Sequence, residues 1–235
     1  MFIPRPALRR YLRRMRWWSM LALLLPLGTV AAMARPPGTP SPREMRSLSW
    51  QEQISEADRK RLAGLWNAWT RALNQAETAG ETPRLTALGP LAVADAARPA
   101  TPPGPGDYLC RNVRIGHRDP ERSAAVPTVD LGQPQPCTIK TKKGLLWLEQ
   151  AAGPDRIGGT LYADADRMVF LGSKALGDEL GMRVYGSDAT RDQVGVVRAI
   201  GDNHWRLELP WPHWQSNLEL VEIMPIASPQ PGGGG

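Results

Sequence analysis

From Asp107 onward the chain breaks into short alternating runs punctuated by Gly, Asp and Asn, and this spacing constrains the fold more than any other feature. "DYLCRNVRI" puts Tyr108, Cys110, Asn112 and Arg114 on one side, and Leu109, Val113 and Ile115 mostly on the other. That period of two is the pattern of a strand. "CTIKTK" and "LLWLEQ" follow on either side of Gly144, and "GGTLYADADRMVFLGS" reads as a hairpin turning at Asp164-Ala165-Asp166. "GMRVYGS" reads as a further strand. "VGVVRAI" and "HWRLEL" flank "GDN", where Asp and Asn tolerate the positive φ of tight hairpin turns. "NLELVEI" closes the series. About eight strands at such spacing predict a mainly antiparallel barrel or sandwich, and periodicity leaves the choice between them open.

Before the strands comes a helix. Ser55 is a good N-cap, and Glu56 and Asp58 put negative charge at the positive end of the dipole. Leu62, Leu65, Trp66, Trp69 and Leu73 recur at helical spacing, and Gly80 is a natural stop. The sequence predicts one amphipathic helix from Glu56 to about Ala79, packed on the β-structure in an α+β fold. The domain plan is an export signal at 1–34, a Pro-rich linker at 35–48, the helical segment at 49–82, a connector at 83–106, the β-domain at 107–226 and a disordered tail at 227–235.

The first 34 residues carry six arginines, Arg5 to Arg16, and no acidic residue, followed by an apolar run from Trp17 and the small-x-small triplet Ala32-Met33-Ala34. This is the anatomy of a secretory signal cut before Arg35. The alternative is an uncleaved inner-membrane anchor at residues 17–34. The chain's +6 charge is then a property of the targeting segment. The remainder is near neutral, which argues against a nucleic-acid partner. A periplasmic or secreted location suits a disulfide between Cys110 and Cys137. It would close a loop of about 28 residues and stabilise by roughly 3–4 kcal/mol.

Catalytic signals are sparse. His117 sits in an irregular insert (residues 117–136), His204 at a hairpin turn, and His213 between Pro212 and Trp214; none belongs to a zinc-binding spacing. There is no G-x-S-x-G elbow, Rossmann fingerprint or P-loop, so no cofactor or metal is expected. Asp188, Arg191 and His213 are the residues around which a periplasmic hydrolase site would form if they converged. The favoured reading is a non-enzymatic domain that binds a small ligand or an envelope protein.

The C-terminal stretch "WRLELPWPHWQSNLELVEI" concentrates the aromatic residues. Trp205 alternates with Leu207 and Leu209 and reads as core. Pro210 and Pro212 cannot donate to a central ladder, so "PWPHWQSN" connects two strands. Glu219 and Glu222 lie an odd number apart, so a bulge near Leu220-Val221 is needed if both face solvent. Trp211 and Trp214 either cover the end of the β-structure or line a site beside His213. With Arg191, these three are the expected binding residues.

"GDYLC", "RMVFLGS", "YGSDATRDQVGVV" and "WRLELPWPHWQSNLELVEI", together with the tryptophan-bearing helix, resemble a bacterial family of exported proteins catalogued as a domain of unknown function, DUF4893. The resemblance runs from about Leu48 to Pro225 and implies a shared fold and export, with no reaction or ligand to carry over. A looser, architectural similarity is to small lipocalin-like or avidin-like barrels, where fold does not decide function.

Overall fold

A computed structural model describes residues 49–99, 101–119, 126–177, 179–214 and 216–226. The expected export signal (1–34), linker (35–48) and tail (227–235) lie outside the described residues.

Nine strands form one antiparallel sheet: β1 (Gly106–Ile115), β2 (Val129–Leu131), β3 (Gln135–Lys142), β4 (Leu145–Gln150), β5 (Asp155–Asp164), β6 (Arg167–Leu176), β7 (Asp192–Gly201), β8 (His204–Pro210) and β9 (Leu218–Pro225). From β3 to β9 each strand pairs with the next, and β9 pairs back onto β1 from Ile115↔Leu218 to Tyr108↔Pro225. The sheet is therefore a closed barrel of eight strands with β2 as an extra one, which decides between barrel and sandwich. The other edge of β1 is shared: β3 pairs with its first half (Gly106–Cys110) and β2 with its last residues (Val113–Ile115). The irregular insert thus contains a strand.

The hairpin turns at one end sit where the sequence places them. Ala165 and Asn203 adopt φ of 51°, as does Lys143 just before Gly144. At Gly172 the walls of β5 and β6 come so close that an added Cβ would lie 2.4 Å from the Gly158 carbonyl oxygen. "GMRVYGS" is not a strand. It is part of the loop between β6 and β7, held by Ser173 Oγ donating to the Arg183 carbonyl at 2.6 Å and by the Gly186 N–H donating to Asp192 Oδ1 at 3.0 Å. These side-chain bonds satisfy a backbone that a neighbouring strand would otherwise pair.

Among the described residues, four short helices precede the barrel: α1 (Trp50–Gln53), α2 (Glu56–Ala63), α3 (Leu65–Thr78) and α4 (Thr82–Ala87), with a 3-10 turn at Gly89–Ala92. Ser55 caps α2 by accepting from the Asp58 N–H. The long helical pattern is interrupted at Gly64, where the Trp211 indole crosses and donates to the Gly64 carbonyl at 3.3 Å. Beyond this break α3 buries Leu65, Ala68, Trp69, Ala72 and Ala76 against outward-facing Ile115, Val194, Val196 and Leu220, while Trp66 turns to solvent. The small alanines let the helix approach the wall. Arg206 of β8 clamps the 3-10 turn, donating to the carbonyls of Pro90, Leu91, Val93 and Ala94, and stacks under Trp69 with Glu208 as its counter-charge.

The barrel interior has two halves. One is apolar, filled by Ile139, Leu148, Ile157, Leu161, Phe170 and Leu207 with the Cys110–Cys137 disulfide beside them. The Cα atoms of that pair are 5.8 Å apart. Trp205 belongs to this half, edge-on to Tyr108, and the connector caps it: Trp205 Nε1 donates to the Thr101 carbonyl and Tyr108 to Gly104. The other half is polar. The β8–β9 register runs unshifted from Trp205↔Ile223 to Pro210↔Leu218, so the expected bulge in β9 is absent. Glu222 pairs with Arg111 and His204, while Glu219, the opposite parity, points inward. Glu219 can be buried because Lys174 of β6 meets it at 2.8 Å. The register shift in this region lies in β7, between Ala199 and Gly201.

Candidate binding site at the polar mouth of the barrel

The polar half is built from inward residues near the C-terminal ends of β1, β4 and β6 and the N-terminal ends of β5 and β9. Glu219 accepts from Lys174 Nζ at 2.8 Å and from Asn112 Nδ2 at 3.1 Å, and Arg114 Nε stands 3.9 Å away. Gln150 donates to Asn112 and accepts from the Ile157 N–H. Arg114 also grips Asp155 at 2.6 Å and Asp130 of β2 at 2.9 Å. Burial alone would push the Glu219 carboxyl up, but Lys174 and Arg114 with the hydrogen bonds from Lys174 and Asn112 outweigh it and hold the carboxyl below the usual range. Arg114 is likewise held above its ordinary value: burial lowers it, and Glu219, Asp155 and Asp130 more than compensate. The network is internally neutralised rather than a trap for an external ion.

Beyond Arg114 the chain leaves β1 at Gly116, whose φ of +72° turns it under α3; a Cβ there would lie 2.7 Å from Gln75 Oε1. That oxygen accepts the His117 N–H at 2.9 Å and Asn217 Nδ2 at 2.6 Å, tying α3 to two loops of the mouth. Between these loops lies a cavity of about 200 Å³ lined by Arg114, His117, Thr128, Asp130, Asp155 and Ser216. Three of its lining residues carry a buried side-chain atom without a hydrogen-bond partner: Arg114 Nε, His117 Nε2 and Ser216 Oγ. Buried polar atoms are nearly always paired, so these three are groups for ordered water or a ligand to satisfy. His117 and Thr128 also line the adjoining groove, about 840 Å³, along α3, with Asn67, Arg71, Asn74, Gln75 and Trp211.

Trp211 joins site and scaffold. Its φ of 49° is an outlier for a bulky residue, held by its N–H to the Asn217 carbonyl at 2.9 Å and its indole on Gly64. Strain of this kind clusters at ligand clamps. The other expected site residues lie on loops at the same end, in a neighbouring cluster. His213 Nε2 is 3.1 Å from Arg61 Nη1, and Arg61 pairs with Asp58 at 2.7 Å. The Tyr185 hydroxyl donates to Asp58 at 2.6 Å, and burial and that bond push it up to about 12. Arg191 pairs with Glu179 at 3.2 Å and lies 5.3 Å from the Trp214 ring centre. Asp188 accepts from Thr190 within its own turn. Of Trp211, His213, Trp214 and Arg191, Trp211 lines the groove.

Burial first, and then the Arg61 guanidinium, lowers the His213 imidazole below its ordinary value. The ring is therefore neutral at pH 7 and accepts from Arg61. Because the folded value lies below the unfolded one near 6.5, this contact loses its stabilising effect as pH falls below about 6.5. An NMR titration of His213 is expected to give a midpoint below 6.5, rising in Arg61→Gln; an unshifted midpoint in both would remove the coupling.

His117, Arg114 and Ser216 are not signalled as site residues by local pattern, since each stands in a bland context. A usable signal existed in β1: Arg114 shares the face of Cys110, and a disulfide-bonded cysteine marks that face as interior.

Comparison with known proteins adds lineage. No curated protein and no solved structure matched the chain. One family model did, described as Domain of unknown function (DUF4893), over residues 50–223, which takes in all four helices and nearly the whole barrel with both walls of the cavity. The chain belongs to the DUF4893 family.

Proposed function

We propose that the protein is a non-enzymatic binding protein of the cell envelope that takes a neutral, hydroxyl-rich ligand, a short saccharide, at the mouth of its barrel. The observation that carries this reading is one cavity lined by three residues, Arg114, His117 and Ser216, that each keep a side-chain atom (Nε, Nε2 and Oγ) without a hydrogen-bond partner. Together they offer donors and an acceptor, which is what a sugar hydroxyl needs on both sides. Arg114 is already matched by Asp130 and Asp155, which disfavours an anion. The groove continues the same chemistry with amides at Asn67, Asn74 and Gln75 and the indole of Trp211. Its volume is of the order found for small-ligand sites, about 300–1,000 Å³.

Calorimetric titration with maltotriose, cellotriose and chitotriose tests the reading. One of them is expected to bind with one-to-one stoichiometry, and Asn67→Ala/Asn74→Ala, both exposed positions, to weaken it about tenfold, the loss of roughly one hydrogen bond's worth of free energy. No heat with any of the three, or equal affinity in the variant, would sink it. Cleavage of the trisaccharide would instead favour the hydrolase reading.

Export is part of the proposal. The three-part N-terminal segment supports it, and a buried disulfide suits an oxidising compartment. N-terminal sequencing of the mature protein should begin at Arg35; a chain retaining residues 17–34 would support the membrane-anchored alternative.

A further inference from the structure

On the outer wall of the barrel, away from the mouth cavity, a second recess of about 430 Å³ opens between the helices and strands β6, β7 and β8. Its chemistry is different. Trp50, Trp66 and Trp69 line it together with Leu62 and Leu65, and Arg59, Arg167 and Arg198 stand around them. The carboxylate in the lining, Glu208, is wholly buried and already shared by Trp69 Nε1, Arg198 and Arg206. Arg198 is paired with Glu208 there, which leaves Arg59 and Arg167 as the guanidinium groups of the lining whose acids, Glu56 and Asp164, stand outside it.

Two further observations point to a ligand. Trp50 Nε1 is buried in this lining without a hydrogen-bond partner. Trp66 is 65% exposed, although it neighbours an apolar helix face that could have taken it. An indole N–H is a donor only, so Trp50 calls for an acceptor. Arg59 and Arg167, whose own ion pairs are part-exposed and less buried than that of Arg114 with Asp155, suit an incoming negative charge, and the indole faces suit a flat apolar body.

We infer that this recess is a second binding site, for a small aromatic anion: a planar ring system beside Trp66 and Leu62, with a carboxylate or sulfonate among Trp50 Nε1, Arg59 and Arg167. Arg167 already pairs with Asp164 at 3.0 Å, and Arg59 stands 3.8 Å from Glu56 while donating to the Gln51 carbonyl at 3.0 Å. Both pairs are part-exposed and carry little free energy, so an incoming anion competes with them at small cost. The floor is rigid, because Trp69 is fixed by Glu208 on its N–H and by Arg206 at 4.6 Å from its ring centre.

The probe is 8-anilinonaphthalene-1-sulfonate, an aromatic anion, compared with N-phenyl-1-naphthylamine, which has the same rings without the charge. The folded full-length protein is expected to bind one equivalent of the sulfonate, with energy transfer from tryptophan, and the uncharged analogue about tenfold more weakly. Trp66→Ala, a solvent-facing change that leaves the packed face of α3 intact, is expected to weaken the sulfonate by a similar factor. Trp50→Phe, which keeps the ring and removes the donor, should weaken it several-fold. Added chitotriose, aimed at the mouth of the barrel, should leave the probe in place. Absence of saturable binding, equal affinity for the two probes, unchanged binding in both variants, or displacement by chitotriose would each overturn the second site.

Discussion

Lys174→Met is expected to destabilise the folded protein by about 3–5 kcal/mol, because it strands the Glu219 carboxylate inside the barrel. Both side chains are almost wholly buried and meet at 2.8 Å, whereas Arg114 Nε stands 3.9 Å from the same carboxylate and the two Nη atoms of Arg114 are taken by Asp130 and Asp155. For a domain of this size the loss corresponds to roughly 6–20 °C in Tm. The double replacement Lys174→Met/Glu219→Met should recover most of it, since removing both charges restores an apolar contact. The sign of the pH dependence identifies the cause. In the native protein Glu219 is held below its ordinary value. Its contribution is therefore present above about pH 4.3 and is lost as pH falls through the lower folded value. In Lys174→Met the carboxyl loses the strongest of the groups that hold it down, so the gap between the two proteins should narrow in acid. Urea unfolding at pH 7 and pH 4 measures both effects, and a gap that stays constant would assign the loss to packing.

Removing the disulfide by Cys110→Ala/Cys137→Ala is expected to cost about 3–4 kcal/mol on the chain-entropy account for a sequence separation of 27. That corresponds to roughly 6–16 °C in Tm. A second effect follows from position. The bridge lies where β1 parts from β3, and the loop it closes carries His117, Thr128 and Asp130 of the cavity wall. Saccharide affinity should therefore fall along with stability, even at temperatures where the variant remains folded. Retained affinity in a folded, bridge-free protein would show that β2 and the ties from Gln75 hold the wall unaided.

What was legible in the sequence was mostly what a single strand or turn encodes by itself. The tight turns at Asn203 and Ala165, the inward set Tyr108-Cys110-Asn112-Arg114 and the cysteine pairing all rest on local chemistry or on alternation. Closure of the barrel rests on β1 pairing with β9, a contact between residues over a hundred positions apart that no local pattern reports. Glu219 shows the same limit. Taken alone, a glutamate in an edge-like strand faces water; it turns inward because Lys174 and Arg114, from two other strands, arrive at the same place. The Gly64 break is a tertiary effect too, since the helical pattern runs through it and the Trp211 indole occupies the space. The site was half visible: crowded aromatics and prolines drew attention to Trp211, but Arg114, His117 and Ser216 matter only through the cavity that brings them together.

The central claim is that the polar mouth of the barrel receives a hydroxyl-rich ligand, and a chemical-shift map tests it most directly. Isotopically labelled protein is titrated with the trisaccharide that binds most tightly, and backbone, indole and imidazole signals are followed. The account predicts that the largest shifts fall on the Trp211 indole, the His117 ring and the amides of Gly116, Thr128 and Ser216, with the apolar half around Phe170 and Leu148 unmoved. Shifts confined to surfaces remote from this mouth, or no saturable shift at all, would contradict it.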